Sequence, residues 1–179
     1  MQARKCSLMK KILLVVAGEG FQHQEYFDTA KVLKHADFEV HIASDISSDA
    51  ISDNGEKIAV DCILEKVNPI DFDGIFFIGG PGALKHLDNQ ESNRILNEMM
   101  ILERPYGAIC IAPRILARAH VLVGKRATGW DEDNELAQIF AQNNVEYVRE
   151  SVVVDGNIVT ANGPEAAHAF GEAIKVLFQ

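Results

Sequence analysis

Short, fully apolar runs alternate along this chain with amphipathic stretches of helical length, and that order restricts the possible folds more than any other feature. Residues 12–17 read as a strand, 25–35 as a helix with Phe27, Ala30, Val32 and Leu33 on overlapping turns, and 39–43 as a second strand. A wholly apolar third strand at 74–78 runs into Gly79-Gly80-Pro81-Gly82. A helix at 91–102, a strand at 107–109 and a helix opening near Pro113 follow, proline in a first turn forfeiting no hydrogen bond. The tail reads as a strand at 152–154, the turn Asp155-Gly156-Asn157, a strand at 158–161 and a helix at 164–178. Asp-Gly-Asn between two β-branched runs predicts a hairpin. The remaining strand-then-helix order predicts a mainly parallel sheet covered on both faces, a three-layer α/β sandwich with one antiparallel hairpin near an edge.

A length of 179 residues suits about one domain. A chain of that size buries roughly 70% of its extended surface, so it needs no disulfide staples. No linker, repeat or low-complexity tract divides residues 9–179; Met9 is a candidate start, which leaves 1–8 as a loose extension. With 17 basic against 26 acidic residues, the formal charge of -9 opposes binding to phosphate backbones, and no nucleic-acid partner is expected. Cys6, Cys62 and Cys110 share no CxxC spacing, which points to a reducing cytoplasm rather than to a disulfide framework or a zinc site. The six-residue apolar run after Met9-Lys10-Lys11 leads into Gly-Glu-Gly without a small-x-small cleavage pattern. It therefore reads as a strand, and neither a leader nor a membrane partner is expected.

Three motifs sit at strand ends, where α/β sheets bind ligands. Gly18-Glu19-Gly20 and the strand-ending Asp45 imitate a dinucleotide fingerprint, but the sixth position is His23 rather than glycine or alanine. This reads as a tight loop with no nucleotide cofactor. The glycines at 79, 80 and 82 let backbone approach closely and leave N–H donors aimed into the crevice, as an oxyanion hole requires. In Tyr106-Gly107-Ala108-Ile109-Cys110-Ile111-Ala112-Pro113-Arg114 an apolar strand ends at a cysteine and a helix begins within three residues. That geometry exposes a nucleophile on a strained corner, and the helix dipole is expected to lower the thiol pKa. A buried structural cysteine fits the same segment.

Other side chains are candidates by position alone. His23 falls in the loop after the first strand, two residues before Glu25, where it either enters the site or stays a solvated loop residue. Arg114, on the turn after Cys110, is a stabiliser of an anion or thiolate, or an exposed helix arginine. Asp131-Glu132-Asp133 resembles a metal cluster but reads as the acidic first turn of a helix at 134–141, and no metal is expected.

The chain resembles the DJ-1/PfpI superfamily across residues 9–179. The resemblance rests on the opening strand and Glu25 helix, Val60-Asp61, Lys66-Val67-Asn68-Pro69, Phe72-Asp73, the double glycine at 79–80, Ala108-Ile109-Cys110 with Pro113, and Gly163-Pro164 before the last helix. It implies a flavodoxin-like sandwich, a homodimer and no cofactor. It also implies Cys110 on a nucleophile elbow with Glu25 contacting it, and Gly80 and Ile111 as oxyanion donors. The PfpI branch is the nearest.

Three family positions differ. Ile111 stands where peptidase-like members have histidine, Trp130 stands in the segment where the DJ-1 branch has one, and Gly82-Ala83-Leu84 lacks the PfpI glutamate. His168 takes a place that is aromatic in the family, which suggests core packing. A Cys–His–acid triad is not expected, and ordinary amide hydrolysis is in doubt. Two functions remain. One is a cysteine enzyme acting on a small carbonyl or acyl substrate, glyoxalase-, deglycase- or amidase-like. The other is a sensor or stress-response protein whose Cys110 is oxidised without turnover.

Overall fold

Six consecutive residues, Ile12 to Ala17, are completely buried, and they place the first strand at the centre of the molecule. The computed structural model describes residues 9–179; the expected loose extension at 1–8, with Cys6, lies outside them. In chain order the first half holds β1 (Lys11–Val15), β2 (Glu19–Phe21), α1 (His23–His35), β3 (Glu39–Ser44), β4 (Ala50–Ser52), β5 (Lys57–Ile58), β6 (Cys62–Ile63) and β7 (Gly74–Phe77). The second holds α2 (Ala83–Leu87), α3 (Gln90–Ile101), β8 (Tyr106–Ile109), α4 (Pro113–Arg118), β9 (Arg126–Ala127), α5 (Leu136–Gln142), β10 (Glu146–Tyr147), β11 (Val152–Asp155), β12 (Ile158–Ala161) and α6 (Ala167–Val176).

The main sheet has the order β11-β12-β8-β7-β1-β3-β6, and every pairing is parallel except that of β11 with β12. Strands buried on both faces have no polar side to show, which is why β1, β7 and β8 read as unbroken apolar runs. Helices α1 and α6 pack together on one face, while α3, α4 and α5 succeed one another on the other. The expected flavodoxin-like sandwich is therefore present, with its antiparallel hairpin at the edge. Gly156, at φ 63°, supplies the positive dihedral that the two-residue hairpin turn requires.

The α1–α6 contact positions the site. A β-carbon on Gly171 would lie 2.9 Å from Val32 Cβ, so glycine lets the helices approach closely. Behind them Phe170 meets Phe76 edge to face at 6.1 Å. Each such buried aromatic contributes roughly 2–3 kcal/mol by transfer from water.

Several boundaries shift. The loop expected at Gly18-Glu19-Gly20 is partly β2, which joins β4 and β5 in a small separate sheet. The last helix opens with a 3-10 turn at Pro164–Ala166. The helix expected at 134–141 starts at Leu136, because Asp131 accepts its N–H at 2.8 Å and the acidic run forms the loop before it. None of the helices among the described residues is long and apolar enough to cross a membrane.

Candidate functional site

Parallel strands deliver their carboxyl ends to one edge of the sheet, and the site begins where β8 stops. Cys110, the next residue, has φ 65°, a left-handed conformation that costs a side-chain-bearing residue about 1–2 kcal/mol. The corner is held from two sides. Its N–H donates to the Ala161 carbonyl at 2.9 Å, and its carbonyl accepts the Trp130 N–H at 2.7 Å. Proline at the first position of α4 then turns the chain away. The sulfur, left at the corner, receives the backbone N–H groups of Ile111 and Gly80.

Glu25 arrives from the opposite side. Gln22 caps α1 with its side-chain carbonyl, which accepts the Glu25 N–H at 2.7 Å, and its own N–H donates to the Gly79 carbonyl at 2.9 Å. This pair of bonds fixes the start of α1 to the end of β7. Glu25 is fully buried; Oε2 accepts the Gly79 N–H at 2.9 Å, whereas no donor is aligned on Oε1. The carboxyl and the Cys110 thiol interact directly.

Burial pushes the Glu25 carboxyl up to about 7, against the lowering effects of the Cys110 thiol and the Gly79 N–H. Burial also pushes Cys110 upward, with further upward contributions from the charge of Glu25 and its hydrogen bond, and the Ile111 and Gly80 amides offset only part. The lowered thiol pKa expected from the helix dipole is thus overturned: the thiol beside Glu25 is held above its ordinary value. α4 has only six residues and starts three positions after the sulfur, too little to outweigh desolvation. The two groups titrate as a pair. When the sulfur is a thiolate, the two amides on it and the carboxyl oxygen that lacks an aligned donor favour the proton on Glu25, and an uncharged Glu25 does not oppose that thiolate.

Above the sulfur opens a cavity of about 760 Å³, bordered by Gly80, Pro81, Ile111 and Trp130 and by the polar side chains of Gln22, Gln24, Glu132, Asn162 and Glu165. Cys110, Gly80, Ile111 and Trp130 thus border one cavity, with Glu25 buried against the thiol.

His23 and Arg114 do not join them. Because Gln22 caps α1, His23 is the first helical residue rather than a loop residue; its ring packs on Phe27, and Nδ1 lies 3.3 Å from the Glu56 carboxylate. Arg114 is neither exposed nor aimed at sulfur. It is 2% exposed, donates to Asp133 at 2.7 Å and to the Trp130 carbonyl at 3.2 Å, and lies over the indole at 5.6 Å. It secures the loop that carries Trp130. Asp45 accepts the Gly18 N–H at 2.7 Å and meets His86 Nδ1 at 2.6 Å, so it is a tie between loops. His168 is exposed rather than packed in the core. No histidine borders the cavity.

Sequence reasoning missed Gln22, Gln24, Glu132, Asn162 and Glu165. The signal available was position: Gln22 and Asn162 directly follow β2 and β12, and strand ends face the crevice in a parallel sheet, whereas Glu132, in the loop before α5, carried no such signal.

Known proteins share this fold over nearly the whole chain. Deglycase PfpI from Pyrococcus furiosus is 31% identical over 168 residues, covering 93% of this chain and 99% of that one. A ThiJ/PfpI domain protein from Brachyspira murdochii superposes with a TM-score of 0.89 at 27% identity, covering 95% and 96% of the two chains. Drosophila melanogaster DJ-1beta gives a TM-score of 0.82 at 28% identity, over 94% of this chain and 89% of that one. Residues 10–176 match the sequence profile of the DJ-1/PfpI family, and the chain belongs to that family.

Proposed function

We propose that the protein is a cofactor-independent thiol enzyme acting on a small carbonyl compound, with Cys110 as nucleophile and Glu25 as proton carrier. The observation that carries this reading is the sulfur's setting: between two backbone N–H groups, beside a carboxyl that keeps its proton to about 7, under an open cavity. The thiolate forms a bond to the carbonyl carbon, the C=O π pair moves to oxygen, and Glu25 gives that oxygen its proton, leaving a hemithioacetal and a carboxylate. Gly80 and Ile111 N–H groups lie where the negative charge moves from sulfur to oxygen. The name of the Pyrococcus relative, a deglycase, supports carbonyl chemistry. The test is consumption of methylglyoxal without added thiol. Wild type should consume it and Cys110→Ser should not; equal rates overturn the reading.

One observation favours a second reading. No histidine borders the cavity, so turnover lacks the base used in thiol hydrolases. Attack of the thiolate on a peroxide forms an S–O bond, breaks the O–O bond and releases hydroxide, and a second equivalent oxidises the sulfenate to sulfinate. A wild type that leaves methylglyoxal untouched, yet whose Cys110 peptide gains two oxygens from dilute peroxide, supports this sensor role.

A further inference from the structure

The wall above Cys110 carries charge of one sign only. Glu132 and Glu165 border the cavity, and among the described residues no lysine, arginine or histidine does. Both glutamates are exposed, at the rim that an entering molecule passes. The nearest cation in sequence, Arg114, is buried and committed to Asp133, with Glu135 3.5 Å away on its other side. At the floor, the Cys110–Glu25 pair adds a further negative charge once it has lost its first proton. The remaining polar walls, Gln22, Gln24 and Asn162, are uncharged.

We infer that this cavity selects substrates by charge, admitting cationic or neutral carbonyl compounds and turning away carboxylates such as 2-oxo acids, with Glu132 and Glu165 as the specificity-determining residues. A carboxylate approaching the sulfur finds no side-chain cation, and the Gly80 and Ile111 amides already face the thiolate. An ammonium-bearing aldehyde finds two carboxylates at the rim. A one-signed cleft with low-dielectric walls focuses its field on the entering molecule and so acts on the rate of encounter. The inference rests on the reading of Cys110 as the thiol that meets substrate.

The experiment uses three thiol reagents of one chemistry: methyl, 2-aminoethyl and 2-sulfonatoethyl methanethiosulfonate. With each, the thiolate attacks the sulfenyl sulfur, a disulfide forms and methanesulfinate leaves. Second-order rates are read at the Cys110 peptide by mass, at low and at high salt, and divided by the rate of each reagent with 2-mercaptoethanol. At low salt the aminoethyl reagent should exceed the sulfonatoethyl reagent by about ten-fold, the order expected for unit charges several ångströms apart in a solvated cleft. High salt should compress that ratio, and so should the double variant Glu132→Gln/Glu165→Gln. A ratio near one in wild type, or one unchanged in the double variant, overturns the charge selection while leaving Cys110 as the reactive thiol. A Cys110 that reacts with none of the three, the neutral methyl reagent included, overturns both.

Discussion

The α-carbon of Gly79 packs against Cys110 so closely that a methyl group added to it would lie 2.7 Å from Cys110 Cβ. The same methyl would lie 2.8 Å from Glu25 Oε2. Gly79→Ala must therefore separate the two groups or displace β7. We expect a loss of about 1–3 kcal/mol in denaturant unfolding, as for an overpacked core, and a changed pH profile of Cys110 alkylation. A variant with wild-type stability and profile shows that sulfur and carboxyl are not held in register by this glycine.

Cys110 should be alkylated before Cys62, although it is the less exposed of the two. Burial, followed by the charge of Asp61, pushes the Cys62 thiol up; Cys110 is pushed up as well, but its sulfur has the Gly80 and Ile111 amides on it and an open cavity above it. Limited iodoacetamide at neutral pH with peptide mapping decides the order. Earlier labelling of Cys62 contradicts the paired titration of Cys110 and Glu25.

Glu25 links stability to pH. Its folded value of about 7 lies above the ordinary 4.5, so the folded chain binds that proton more tightly than the unfolded chain. The resulting stability is complete below pH 4.5 and is lost as pH rises through about 7. The difference corresponds to at most about 3 kcal/mol. Guanidinium unfolding at pH 5 and pH 8 should show the loss in wild type and a flatter dependence in Glu25→Gln. Glu25→Leu, which removes the proton donor, should slow Cys110 alkylation at pH 7, and Glu25→Gln should slow it less. Wild-type alkylation in both variants across pH 5 to 9 means that Glu25 does not govern the sulfur.

Arg114→Met should cost about 2 kcal/mol or more, because it strips a buried cation from Asp133 and from the Trp130 carbonyl. Asp133→Asn, at the exposed end of the same bond, should be milder. Thermal unfolding ranks the two, and limited proteolysis should nick the loop at 128–135 in the arginine variant first. Equal tolerance of both changes would mean that the loop holds Trp130 without them.

Casein and peptide amides should survive prolonged incubation. No imidazole borders the cavity; His23 sits against Glu56, and His86 is bonded to Asp45. Loss of the base from a nucleophile–base pair lowers hydrolysis by several powers of ten. Cleavage that disappears in Cys110→Ala would reveal a base supplied from elsewhere.

The sheet was legible in the sequence because both faces of β1, β7 and β8 are buried, and burial on both faces leaves an apolar run that no surface helix shows. Gly156 announced the hairpin, and Pro113 announced the corner at Cys110. What escaped depended on partners distant in the chain. Glutamine is not a usual helix cap, so Gln22 gave no warning that α1 begins before Glu25 and carries His23 away from the site. Arg114 read as a surface residue because Asp133 reaches it only through the fold. The thiol's environment was misjudged for a different reason: a helix dipole can be inferred from the order of elements, whereas burial of the sulfur and the charge of Glu25 beside it require the packed structure.

Gln22 and Glu165 border the same cavity, although nearly the whole chain lies between them. Contacts of such long sequence separation form late, after local helices and turns. On a ribosome, β1 emerges first yet must wait for β7, β8 and finally the hairpin of β11 and β12 to complete the sheet. Until Ala161 offers its carbonyl to Cys110, one of the two hydrogen bonds that hold the cysteine in its strained turn is missing. The strained corner at Cys110 is thus completed by a hairpin that is translated well after the cysteine itself.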